Sequence, residues 1–187
     1  DWYRFLFVSP ETFDIDFYTN YIHYLKLYSE KDWLTQFFQK NDSEIKKKLA
    51  IIQSDPSSFE DEIFSYGNKK FKYSKAAFFE RASYIRESFD KEEYVHAYPV
   101  KSRKGKLTLE IENIGFYTVK IDRVSVDNEV TKVNEILIPH ASNASPEFKN
   151  FEIKCPNTHG DIIVDYHIIG DNETRQTKVF KWKRKVE

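Results

Sequence analysis

A change of side-chain rhythm divides this chain. Before Val100, apolar and aromatic residues recur every third or fourth position; after it they alternate, one in two. The first period belongs to a helix burying one face, the second to a strand with one face on a core. Composition shifts at the same place: of 31 Phe, Trp and Tyr residues, 24 precede Val100 and seven follow it. Together these predict an α+β chain, with a helical, aromatic-rich subdomain over residues 1–97 and a C-terminal antiparallel β-sandwich over 98–187. The junction is expected in "AYPVKSRKGK", where proline, glycine and positive charge interrupt both rhythms. A chain of 187 residues can bury a core in one large domain or two small ones.

The helical half is well punctuated. Ser9-Pro10-Glu11 reads as a cap with proline at the first helical position, where its missing N–H costs nothing. Phe13, Phe17, Tyr21, Tyr24 and Tyr28 then mark a stripe expected to face the core. Ser29 with Asp32 resembles a capping box for a second helix carrying Trp33, Phe37 and Phe38, and Ile45, Leu49 and Ile52 mark a third. Ser57 with Glu60 would open a fourth that Gly67 stops, and a last helix is expected from about Lys75 to Phe89.

In the second half Leu107, Leu109 and Ile111 alternate with Thr108, Glu110 and Glu112, a strand with one wet face. Asn113-Ile114-Gly115 supplies a bend. Tyr117, Val119 and Ile121 continue the apolar face, but Val124 and Val126 fall on the opposite parity. One inserted residue near Asp122, as a β-bulge or a change of sheet, reconciles the two. Ile136 and Ile138, then Phe151, Ile153 and Cys155, then Ile162, Val164, Tyr166 and Ile168, then Phe180 and Trp182 mark further strands. Six or seven short strands separated by turns suggest a sandwich. On these residues, "LTLEIENIG…VKIDRVSVD" resembles the opening hairpin of immunoglobulin-like accessory modules of exported and scaffold proteins. The resemblance implies a fold that holds and recognises; the cysteine pair and core tryptophan of antibody domains are missing.

Charge and cysteine usage narrow the function classes. The formal charge is −1, and neither half carries the excess of basic residues that nucleic acid or an acidic lipid surface would demand. Cys155 is the single cysteine, so there is no intramolecular disulfide and no multi-cysteine zinc site. No apolar run reaches the roughly 18 residues of a membrane-spanning helix. The absence of methionine and the start at Asp1 predict a mature or excised piece of a longer, extracytoplasmic or membrane-tethered protein. Trp2 and Tyr3 suit either an aromatic belt beside a removed anchor or an ordinary buried segment. Asn41, Asn143 and Asn172 begin Asn-x-Ser/Thr triplets, all in expected loops.

Three constellations invite a chemical reading. Cys155, His159 and Asp161 combine a thiol, an imidazole and a carboxylate, the elements of a cysteine nucleophile in a hydrolase. Against this, Cys155 sits on the buried parity of its strand and His159 at a hairpin tip. Asp161, Asp165 and His167 offer divalent-metal donors on one strand face, but neighbours two apart stand about 7 Å from each other along a strand, so a solvated face is expected instead. "NKKFKYSK" interleaves four lysines with Phe71 and Tyr73. Tyrosine, with an apolar face and a polar rim, suits protein contact or sugar stacking. The residues singled out for binding are Phe71, Tyr73, Tyr94 and Tyr98, with Tyr18 and Tyr24 also to be checked for exposure. The expected role is non-catalytic, with no cofactor and no metal: contact or assembly with another protein or with other regions of the parent chain. Carbohydrate binding through exposed Tyr and Trp is the alternative.

Overall fold

A computed structural model describes residues 14–54, 62–66, 69–91, 93–127, 129–139, 148–154 and 161–181. In chain order these form α1 (Ile15–Ser29), α2 (Lys31–Gln53), β1 (Glu62–Tyr66), β2 (Lys69–Lys72), α3 (Lys75–Phe89), β3 (Val95–Arg103), β4 (Lys106–Asn113), β5 (Val119–Val126), β6 (Glu129–Leu137), β7 (Lys149–Lys154), β8 (Ile162–Ile168) and β9 (Arg175–Lys178). The fold is mixed α+β. The chain divides into a helical unit, Tyr24–Asp90, and a strand unit, Lys91–Glu187 together with Asp1–His23.

The strand unit contains two antiparallel sheets, of order β3-β4-β7 and β6-β5-β8-β9. On β4 the alternation legible in the sequence is the alternation of burial, and on β8 the apolar positions are again inside. Leu107, Leu109 and Ile111 on β4, and Val164, Tyr166 and Ile168 on β8, are all buried. The parity change on β5 is a bulge: register shifts between Ile121 and Arg123 against both β6 and β8, and Val119, Ile121, Val124 and Val126 all stay inside. Phe180 N–H donates to Ala97 O at 2.9 Å, tying the chain beyond β9 to β3. Lys149 Nζ donates to Glu135 Oε1 (2.8 Å) and Ile136 O (3.0 Å), tying β7 to β6.

Two local expectations are corrected here. The "AYPVKSRKGK" stretch is a hairpin: β3 pairs with β4 across Lys104 and Gly105, both at positive φ (52° and 73°). Two successive positive φ values match the right-handed twist of the strands they join. Pro99 sits where the β3 register shifts, on an edge strand, the one place a sheet tolerates a missing N–H. Conversely, the bend after Asn113 is not a hairpin but a crossing between sheets, since β4 pairs with β3 and β7 while β5 pairs with β6 and β8. Asn113 holds that crossing. Its buried amide donates to Tyr117 O (2.8 Å) and Leu137 O (2.9 Å) and accepts from Gly115 N (2.9 Å). Gly115 is needed because a Cβ there would fall inside the Tyr94 ring.

The first turns of α1 belong to the strand unit. Asp14 Oδ1 caps the helix by accepting from the N–H groups of Asp16 and Phe17, each at 3.0 Å. Tyr18 and Ile22 are the buried positions, and Tyr18 Oη accepts the Thr118 N–H at 2.8 Å. Of the stripe predicted to face inward, Phe17, Tyr24 and Tyr28 are instead half exposed and Tyr21 is half-buried; Phe13 lies outside the described residues. Aromatic residues surround this helix so completely that period alone does not choose its inner face.

In the helical unit Leu34, Phe38 and Ala82 form a small buried cluster, with Trp33, Ile45, Tyr73 and Phe79 against it. The expected second and third helices are one helix, α2, uninterrupted from Lys31 to Gln53. Ser29 does not cap it. Its hydroxyl turns back to Lys26 O (2.8 Å) and its carbonyl takes the Arg86 guanidinium, so it closes α1 and pins α3 to that end. The N-cap of α2 is Glu30, without a side-chain bond. The helix expected to stop at Gly67 is absent from the described residues there, where β1 and β2 pair antiparallel. Ser74 caps α3, accepting from Ala77 N at 3.3 Å.

Candidate functional site

Where α1 ends and α2 and α3 pack, the helical unit carries a run of aromatic rings in sequential contact. Tyr24 stacks on Tyr28 (centroids 5.5 Å), Tyr28 meets Trp33 (4.6 Å), and Trp33 stacks on Phe37 at 5.3 Å with planes 11° apart. Phe37 then meets Phe38 edge-on (5.4 Å), Phe38 meets Phe78 (5.6 Å), and Phe78 meets Tyr73 (6.3 Å). Only Phe38 is buried, at 3% exposure. Tyr24 and Tyr28 are each 48% exposed, Phe37 40% and Phe78 51%. Spacing builds the ladder: Trp33 and Phe37 are four apart on α2, so one lies above the other on the same helix face. Lysines flank it. Lys75 Nζ lies 5.1 Å from the Phe38 ring, and Lys26 Nζ 5.3 Å from the Phe89 ring. Further along α2, Asp42 bonds Lys46 at 2.7 Å, and that bond holds the Asp42 carboxyl below its ordinary range.

Of the residues singled out in the sequence, Tyr73 belongs to this ladder, half-buried beside Phe78. Phe71 lies on β2, where only the backbone is described. Tyr94 and Tyr98 belong to the strand unit. Tyr94 is fully buried, with its ring against Tyr117 (6.3 Å) and the Arg175 guanidinium over it (5.2 Å). Tyr98 is half-buried on β3, stacked on Phe180 (4.8 Å), edge-on to Phe148 (6.1 Å) and bonded through Oη to His96 Nδ1 (3.4 Å). Tyr18 is buried. Sequence reasoning did not mark Trp33, Phe37 or Phe78 as surface. The available signal was surplus: α1 and α2 carry more rings than one helix face can turn inward.

The Asp161, Asp165 and His167 side chains are spread rather than gathered. Cys155 and His159 lie outside the described residues. Asp161 bonds Lys178 at 2.8 Å, and that bond holds its carboxyl below the usual carboxylate range. Asp165 is buried, not solvated, because β5 and β9 lay Arg123 and Gln176 (2.8 Å) over it. His167 Nδ1 faces Asp122 Oδ2 at 2.7 Å, beside the bulge. Each acid thus meets its own partner from a neighbouring strand, and among the described residues no three His, Cys, Asp or Glu side chains form a metal-binding group. Asn41 is not in a loop; it lies within α2 and donates to Phe37 O at 2.8 Å, whereas Asn172 is exposed in the turn after β8. Asn143, Trp2 and Trp182 fall outside the described residues. Among the described residues no helix is long and apolar enough to cross a membrane. No protein-family model, no curated protein and no solved structure matches the chain.

Proposed function

We propose that this chain is a non-catalytic binding and scaffolding region, contacting another protein through the ring ladder of its helical unit. The observation that carries the reading is an inverted ratio of burial. Among the described residues, the helical unit buries Leu34, Phe38, Ala82 and Phe89 while leaving Tyr24, Leu27, Tyr28, Phe37, Ile51, Ile52, Phe78 and Tyr84 at least a third exposed. Contiguous exposed aromatic surface of this kind marks an interaction site, and Tyr, Trp and Phe are the residues that anchor protein contacts. Sugar stacking fits less well, since a sugar needs open ring faces and the Trp33 and Phe37 planes already cover one another.

The strand unit is read as an immunoglobulin-like sandwich. What supports this is strand order. β3, β4 and β7 are the first, second and fifth strands of the unit and β6, β5, β8 and β9 form the second sheet, an order compatible with such a sandwich carrying its extra edge strand on the second sheet. A photo-crosslinking amino acid at Phe78 in the native host tests the contact reading, with the same group at Val130, exposed on β6, as control. A discrete adduct is expected from Phe78 alone, lost when Phe37→Ser is added while the circular dichroism spectrum is unchanged. Adducts equal at both positions, or none at Phe78, would overturn it.

A further inference from the structure

β6 is an edge strand of nine residues, and Glu129, Val130, Lys132 and Asn134 along it are all exposed. An edge of that length offers backbone N–H and C=O groups to a further strand, and a second copy of this chain is the strand always present. Three features of β6 oppose such an addition. Register puts Glu129 opposite buried Val126 and Glu135 opposite buried Ile121, so two carboxylates stand on the core-facing side of the strand, at its rim. Lys149, reaching from β7, bonds both Glu135 Oε1 (2.8 Å) and Ile136 O (3.0 Å), so a charged side chain already occupies the far end. Asn134 has φ +60°, and between the Ile121–Glu135 and Arg123–Lys132 pairs β6 has two residues where β5 has one, a bulge that bends the edge.

We infer that Glu129, Lys132, Glu135 and Lys149, with the Asn134 bulge, are a guard built into the sheet that keeps β6 from pairing with the β6 of a second copy. Identical strands meet antiparallel about a two-fold axis, and the pairing that uses residues 129–135 is centred on Lys132. It sets Lys132 against Lys132 and Glu129 of each copy against Glu135 of the other, like charges directly opposite one another. A register moved toward Glu129 escapes those clashes only by pairing fewer residues. One moved toward Leu137 buries the Glu135–Lys149 ion pair, whose desolvation a few ladder bonds do not offset. The outer edge of β3 is closed by other means, Pro99 and the Phe180 N–H on Ala97 O. This inference does not depend on the contact reading of the helical unit.

The test uses the full chain carrying Lys132→Thr, Glu135→Val and Lys149→Leu together, compared with wild type at equal concentration. Thr and Val also suit a strand better than the charges they replace. Weight-average mass by light scattering is expected to rise about twofold, as for a two-fold dimer, with amide exchange slowing across residues 129–133. Adding Asn134→Thr, which disfavours the left-handed turn, should strengthen the association. The control is Lys154→Thr, Glu152→Val and Lys106→Leu, the same change of composition made on β7 and β4, where Lys106 and Glu152 form an exposed pair at 3.1 Å. Its mass should stay at the wild-type value. A wild-type mass for both β6 variants, with native circular dichroism, would overturn the guard. So would an equal rise in the control, or a rise with exchange across β6 unchanged, since the contact would then lie elsewhere. If the β6 variants unfold, Lys132→Thr with Lys149→Leu replaces them, and the same outcomes decide.

Discussion

Gly170 offers a direct measure of how firmly α1 is packed on the strand unit. It follows β8 at φ +88°, a conformation in which a side chain is strained by roughly 1–2 kcal/mol. It also faces α1 closely: a Cβ there would come within 2.8 Å of Thr19 O and 2.9 Å of Ile22 Cβ. One contact is helix backbone and the other the stem of a fully buried isoleucine, so neither can swing aside, and forced overpacking costs about 1–3 kcal/mol. Gly170→Ala should therefore lose about 2–5 kcal/mol. Gly105 is the control. It has a similar φ of +73° with nothing within 4 Å of its would-be Cβ, so Gly105→Ala carries the backbone strain alone, about 1–2 kcal/mol. Alanine also narrows the unfolded ensemble by about 0.4–1 kcal/mol, equally in both variants. Urea unfolding followed by circular dichroism should place the Gly170→Ala midpoint below that of Gly105→Ala by on the order of 1 M. Coincident midpoints would refute the packing of Thr19 and Ile22 against the turn after β8.

Two further outcomes follow from the same unit. Tyr166→Phe removes the Oη that accepts the Tyr94 N–H at 3.2 Å and should cost about 0.5–1.5 kcal/mol in urea unfolding at pH 8. Burial raises the Tyr166 hydroxyl, so its folded value lies above its unfolded one; the stability of the neutral phenol is intact below about pH 10 and is lost as pH climbs through the folded value. The wild-type midpoint should fall between pH 9 and 11 more steeply than that of Tyr166→Phe, and parallel curves would contradict that burial. Asn113→Ala removes three bonds at the crossing from β4 to β5 and should cost about 2–4 kcal/mol, with amide exchange accelerating first at Gly115, whose N–H loses its acceptor. Unchanged protection at Gly115 would count against Asn113 as the clasp.

The sequence by itself settled whatever depends on period. A strand has two faces and one is wet, so Leu107, Leu109 and Ile111, or Val164, Tyr166 and Ile168, announce their inner side, and a slip in parity near Asp122 can only be a bulge or a change of sheet. Pairing partners were not legible, because the same alternation suits a hairpin and a crossing; Asn113, Gly115 and Tyr94 made the difference through hydrogen bonds and a missing Cβ, across residues far apart in sequence. A helix has many faces, and α1 and α2 offer rings on most of them. Which side chain turns inward was decided by what lay opposite: Thr118 N–H for Tyr18, the turn at Gly170 for Ile22. The exposure of the ring ladder was hidden for the same reason. Aromatic residues at helical spacing read as core wherever they occur, and only tertiary packing, with room for Phe38 but not for Phe37 or Phe78, separated the rings that hold the helices together from those left to meet something else.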